Sequence, residues 1–202
     1  VMGKSLLNTH IAAGARVVLN NQFAFTAAVL RQMEKEQVTA FSGVPSTYAQ
    51  LVNKSPLGEY KERLPFLRYC SQAGGHMARP IKQHLRKLLP DHTDIVVMYG
   101  ATEASARLTY LDPQRFTDKI DSIGKAIPGV TVTIRDEQGN ELPAGKEGEL
   151  VAQGESFGLL SDKGMCCFLD PGLAVLVFGW DLRRHAAVPL KDPALGSSLH
   201  YH

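Results

Sequence analysis

The sequence predicts an α/β protein: a mostly parallel sheet with flanking helices, followed by a small antiparallel β subdomain. Between residues 15 and 103, short apolar runs rich in β-branched residues alternate with stretches whose apolar groups recur at helical spacing. That alternation is the mark of strand-helix units around a parallel sheet. Beyond residue 117 the texture changes to turn-rich connectors and period-two alternation, as in VTVTIR at 130–135, which marks antiparallel strands. The expected divisions are 1–117, 118–154 and a tail at 155–202.

Bulk properties set limits on function. The 202 residues are 44% hydrophobic and 21% charged, enough to bury a core. The 22 basic and 20 acidic residues are well mixed and leave a net charge of +2, which argues against a nucleic-acid partner and against electrostatic membrane anchoring. Three cysteines, two adjacent at Cys166 and Cys167, fit neither a disulfide framework nor a zinc spacing and favour a reducing compartment. No apolar run reaches 18 residues and no signal-peptide pattern opens the chain, so a cytoplasmic location is expected. The first residue is Val rather than Met, and an opening already in mid-pattern suggests an internal piece of a longer protein.

Taken in order, residues 5–14 (SLLNTHIAAG) read as a buried helix with a glycine stop, and 15–19 (ARVVL) as a short strand. His10 on that helix reads as a hydrogen-bonded packing residue rather than a catalyst. Residues 26–37 read as a surface helix with Ala27, Leu30 and Met33 on one side. Residues 38–44 give a strand ending at Gly43. Pro45 then starts a helix, capped by Ser46 or Thr47, that carries Tyr48 and Leu51. Residues 55–62 read as a polar loop and 64–71 as a strand. A small-residue loop follows, and then a helix with one face formed by Ile81, His84, Leu85, Leu88 and Leu89. Residues 95–99 form the next strand and 108–111 a short one. Beyond these lie a loop with Pro113, a connector at 122–129, the alternating strand 130–135, a turn at 136–140, another at 142–148 and a strand at 149–152.

Three strand ends carry the candidate chemistry, because ligands of open α/β sheets bind at strand C-terminal ends. After Gly43 come Val44, Pro45 and Ser46. After the second strand come Ala73, Gly74 and Gly75, small residues that let backbone approach a planar ligand closely. After the third come Tyr99, Gly100, Ala101, Thr102 and Glu103. There a hydroxyl beside a carboxylate suits a phosphate and the Mg²⁺ that neutralises it. A plain strand followed by a capped helix start, with Thr102 as cap and Glu103 in the first turn, accounts for the same residues.

Four stretches decide between these readings. YGATEAS at 99–105 resembles the YGxTE motif of the AMP-forming adenylate-forming superfamily, which includes acyl-CoA synthetases and peptide-synthetase adenylation domains. SGVPSTY at 42–48 is similar to its GVPTxY stretch, and QAGGHM at 72–77 to its SGGAPL loop, with His76 where proline is common. A fourth passage resembles GKPxPGxxxxIxDxxGxxxPxGxxGEL at Gly124, Lys125, Pro128, Gly129, Asp136, Gly139, Pro143, Gly145, Gly148, Glu149 and Leu150. The resemblance covers roughly residues 1–154 and implies part of the large domain of such an enzyme. It further implies that Tyr99 packs on adenine, Thr102 contacts the α-phosphate, Glu103 helps to hold magnesium, Ala73–Gly75 wall the adenine site, and Val44–Ser46 line the acyl pocket.

The implied function is an acid-thiol ligase: carboxylate and ATP give an acyl-adenylate, which CoA converts to a thioester. ATP, Mg²⁺ and CoA are the implied cofactors, and the substrate a fatty or other hydrophobic acid. Residues 157–202 do not follow the family pattern, and its phosphate loop, TGD motif and C-terminal lid have no counterpart here. The isolated chain is therefore expected to be inactive or nearly so. An amino-acid adenylation domain and a non-catalytic nucleotide-binding or structural fragment are the alternatives.

Overall fold

The computed structural model describes residues 2–20, 23–104, 107–154 and 158–161. The described residues divide into one unit up to residue 132, joined by Gly154, and a second over 133–153 and 158–161.

The first unit begins with helix α1 (Met2–Ala12), which Gly14 ends in the left-handed region at φ 70°. Helix α2 (Thr26–Lys35) buries Thr26, Val29, Leu30 and Met33, spaced three and four apart, on a single stripe. Gln37, at φ 51°, turns the chain into strand β1 (Ala40–Gly43), and Pro45 opens helix α3 (Pro45–Lys54). Strand β2 (Tyr69–Gln72), helix α4 (Arg79–Leu88) and strand β3 (Asp94–Tyr99) complete the repeat. Strands β4 (Thr109–Leu111) and β5 (Lys125–Ala126) extend the sheet beyond β3.

The sheet order is β1-β2-β3-β4-β5. The first three strands are parallel, with Gly43 opposite Gln72 and Gln72 opposite Val97; β4 and β5 join antiparallel. Strand β2 sits between two neighbours and buries Cys70, Ser71 and Gln72. The core gathers Leu30 and Met33 of α2, Tyr48 and Leu51 of α3, Leu67, Cys70, Leu85, Ile95 and Val97. Each such aliphatic side chain, fully buried, contributes about 1.5–3 kcal/mol.

In the second unit the sheet order is β6 (Val130–Arg135), β7 (Glu149–Gly154), β8 (Gly158–Ser161), β6 beginning just before the division. Arg135 and Glu141 form an antiparallel bridge across the turn, and Asp136 accepts hydrogen bonds from the amides of Gln138 and Asn140. The chain thus has the expected fold class, a parallel-rich sheet followed by a small antiparallel one.

Six local readings need correction. Ala15–Leu19 is not a strand, because it has no ladder partner, and Leu19 is 80% exposed. Helix α1 is not buried: Leu7 and Ile11 face solvent. Leu64–Leu67 precedes β2 as turns whose leucines enter the core, and the polar loop at 55–62 contains a 3-10 turn, Leu57–Tyr60, that buries both its ends. Helix α3 has Val44 at its N-cap with no side-chain cap, so neither Ser46 nor Thr47 caps it. On α4, His84 is exposed and Lys82 is buried instead, its ammonium donating to the Ile120 carbonyl at 2.6 Å. Burial lowers the Lys82 pKa, with Asp121 opposing that shift.

Candidate functional site

Three parallel strands placed side by side put their following loops along one edge of the sheet. The β1 and β2 loops touch. A Cβ on Gly74 would lie 3.2 Å from Val44 Cγ1, and one on Gly75 would lie 3.5 Å from Pro45 Cγ. Gly74 and Gly75 adopt φ 83° and 154°, values that L side chains rarely take, so the backbone favours glycine at both, and the 3.2 Å approach adds a tight contact at Gly74 alone. The Ala73 amide donates to the Gly43 carbonyl at 3.4 Å, carrying the parallel ladder one step into the loops.

Gln72, the last residue of β2, fixes this corner from beneath. Its side chain is buried and its amide Nε2 donates to the Gly75 carbonyl at 2.7 Å. Alongside, Ser42 and Ser71 hydroxyls are hydrogen-bonded at 2.6 Å between β1 and β2. The Tyr48 hydroxyl donates to the Ser71 carbonyl at 2.7 Å. Sequence reading placed Gln72 only as the start of a small-residue loop. A long amide side chain among small residues was the available signal.

Strand β3 runs two residues further than its pairing with Gln72, to the half-buried Tyr99. The Tyr99 carbonyl accepts from the Leu108 amide at 2.9 Å, closing a short excursion in which Thr102–Ala104 forms a 3-10 turn. Ala104 is buried, whereas Thr102 and Glu103 are exposed. Thus Val44–Ser46, Ala73–Gly75 and Tyr99–Glu103 all follow C-terminal ends of neighbouring parallel strands, the first two in direct contact.

The donor set limits the metal chemistry. Among the described residues no group of three His, Cys, Asp or Glu side chains is arranged to hold a metal. Glu103 is a single exposed carboxylate beside a hydroxyl. That suits Mg²⁺, which takes one or two protein carboxylates and shares substrate phosphates, and does not suit a resident metal cage.

A cavity of about 790 Å³ lies elsewhere in this unit, lined by Leu6 and His10 of α1, by residues 15–20, and by Phe41 and Ser42 of β1 among others. No candidate site residue lines it. His10 is hydrogen-bonded there: its Nδ1 donates to the Leu6 carbonyl at 2.7 Å, and its Nε2 lies 3.2 Å from the Tyr69 hydroxyl.

An open α/β sheet with glycine and hydroxyl loops at the ends of three adjacent parallel strands defines a ligand-binding domain of the class that holds its ligand at strand C-terminal ends. The chain belongs to the AMP-binding enzyme family, whose pattern matches residues 1–159. It is 30% identical over 135 residues, 65% of the chain, to the hybrid PKS-NRPS synthetase lepA of Aspergillus flavus, and covers 3% of that protein. It is 30% identical over 156 residues, 76% of the chain, to a 2-succinylbenzoate–CoA ligase of Bacillus licheniformis, and covers 30% of it. The fold matches the Bacillus subtilis O-succinylbenzoate coenzyme A synthetase in complex with ATP and magnesium ion, at 23% identity and a TM-score of 0.63, over 78% of this chain and 31% of that one. The chain therefore spans less than a third of these proteins. Among the described residues no helix is long and apolar enough to cross a membrane.

Proposed function

We propose that these residues form the central part of an AMP-forming acid-thiol ligase of the cytoplasm, which joins a carboxylic acid to AMP from ATP with release of pyrophosphate and then passes the acyl group to CoA. The observation that carries this reading is the alignment of three loops at neighbouring strand ends, with the two glycines packed against Val44 and Pro45. Ala73–Gly75 would wall the adenine, with Tyr99 against its face. The Thr102 hydroxyl would donate to the α-phosphate and the Glu103 carboxylate would hold Mg²⁺, which supplies charge neutralisation at the phosphates. Val44, Pro45 and Ser46 would meet the acid, which we take to be fatty or otherwise hydrophobic. The full activity belongs to a longer protein containing this chain, since the 2-succinylbenzoate–CoA ligase is more than three times the matched length.

Amino-acid adenylation is the second reading, and the similarity to a hybrid PKS-NRPS synthetase favours it. ATP-pyrophosphate exchange across a panel of acids separates the two. The longer protein is expected to exchange with fatty or aromatic acids and to lose exchange on Glu103→Ala, while the 202-residue chain alone gives none. Exchange with amino acids only would establish the second reading. A longer protein that exchanges with no acid would leave a non-catalytic role. Full exchange after Glu103→Ala would remove Glu103 from the site.

A further inference from the structure

We infer that the hydrogen-bonded pair of His10 and Tyr69 is the floor of the acid pocket and sets the longest acid that the ligase accepts; the inference rests on the ligase reading above. One face of the sheet is closed. Phe41 meets the Tyr48 ring of α3, and in register with it Cys70 and Ile95, with Val97 further along β3, join the core against the helices. Strand alternation then turns Ala40, Ser42, Tyr69, Ser71, Val96 and Met98 to the other face. The 2.6 Å bond between the Ser42 and Ser71 hydroxyls, made across β1 and β2, agrees with that assignment. An acid that passes Val44–Ser46 at the end of β1 has only this second face to lie along, because side chains of α2, α3 and α4 fill the first.

Side-chain size makes a trough of that face. Beside the strand ends stand Ser42 and Ser71, both short, with their hydroxyls turned to each other. Ala40 continues the low ground along β1, but its partner in register on β2 is Tyr69, a large ring. There α1 meets the face. The His10 Nδ1 donates to the Leu6 carbonyl at 2.7 Å, which fixes the tautomer in which Nε2 accepts from the Tyr69 hydroxyl, 3.2 Å away. Imidazole and phenol thus bridge helix and strand, both half-buried, and close the far end of the trough. From Gln72 at the strand end down to Tyr69 is three residues of strand, roughly 10 Å. That depth admits an acid about as long as octanoate, or a substituted benzoate of the same length, and Val96 and Met98 give it an apolar side.

ATP-pyrophosphate exchange by the longer protein tests this, run with two series of rising length: straight-chain acids from butyrate to palmitate, and benzoates with a para-alkyl chain. In whichever series exchanges, kcat/KM is expected to fall by about tenfold or more once the acid is longer than octanoate, since a single methylene too many in an apolar pocket is felt on that scale. His10→Ala and Tyr69→Ala remove the floor from either side. At least one of them, while still exchanging with the best short acid, is expected to raise the long-to-short ratio of kcat/KM by about tenfold or more. General loosening of the fold lowers both rates and leaves that ratio alone. A parent that takes the longest acids as well as the short ones overturns the inference and leaves the ligase reading standing. So does a long-to-short ratio that neither variant changes. Exchange with no acid, or with amino acids only, removes the ligase reading and this inference with it.

Discussion

Gln72 donates its side-chain amide to the Gly75 carbonyl at 2.7 Å, so the last side chain of the central strand holds the loop that follows it. The acceptor belongs to a residue at φ 154°, next to one at φ 83°. Gln72→Leu keeps the buried volume and removes the donor. It is expected to lower stability by about 0.5–1.5 kcal/mol, the net worth of one hydrogen bond, because Gly75 is exposed and water can reach its carbonyl. Urea unfolding measures this, and a change under about 0.3 kcal/mol would show that the bond does not restrain the loop.

Two glycines with similar backbone conformations give a sharper contrast. Gly124 and Gly129 have φ 85° and 79°, but a Cβ on Gly124 would fall 1.9 Å from the Tyr110 carbonyl oxygen, whereas one on Gly129 meets nothing within 4 Å. Gly129→Ala is expected to carry only the left-handed penalty, about 1–2 kcal/mol. Gly124→Ala must also push backbone aside where β4 pairs with β5, and is expected to cost more than about 3 kcal/mol. Equal losses in thermal or denaturant unfolding would mean that the strand pair shifts freely.

The three parallel strands and their loops were legible because each combines an apolar run, a small or glycine break and a following polar stretch, all of it local information. The 15–19 segment has the same local character without the ladder, since a strand exists only through a neighbour that its own residues do not specify. Leu64–Leu67 misled for a related reason: apolar residues mark burial, and here turns bury Leu64 and Leu67 before the strand begins at Tyr69. On α4, spacing alone chose His84 for the inner face. Lys82 takes an inner position because the Ile120 carbonyl, 38 residues away, accepts from its ammonium. The site's roles for Thr102 and Glu103 came from resemblance, since a hydroxyl and a carboxylate after a strand serve equally well as a helix start.

Tyr48 tests how far the strand ends depend on one hydroxyl. It donates to the Ser71 carbonyl at 2.7 Å and to the Phe41 carbonyl at 3.3 Å, joining β1 to β2 from α3, while its ring meets Phe41 edge-on at 5.9 Å. Tyr48→Phe keeps the ring contact and deletes only the donor. The expected loss is about 1–3 kcal/mol. Tyr48→Leu is expected to cost more, because the edge-on pair with Phe41 goes too, worth about 0.5–1.5 kcal/mol beyond its area. If the Phe variant is as stable as the parent in urea, the hydroxyl does not join the strands.

Cys70 gives a pH dependence with a definite sign. Burial pushes its thiol from an ordinary 9.0 up to about 12, against smaller lowering effects from Arg86 and the Tyr48 hydroxyl. A folded pKa above the unfolded one means that between these values the unfolded chain has lost a proton the folded chain keeps. Stability from this group is therefore fully present below pH 9 and is lost as pH rises toward 12, with a slope of at most about 1.4 kcal/mol per pH unit. Cys70→Ala is expected to flatten the unfolding free energy over that window relative to the parent, and an unchanged slope would mean that the thiol ionises equally in both states. Labelling gives a second reading at pH 8: peptide mapping after iodoacetamide treatment should find Cys70 unmodified until denaturant is added, because the thiolate is both scarce and buried.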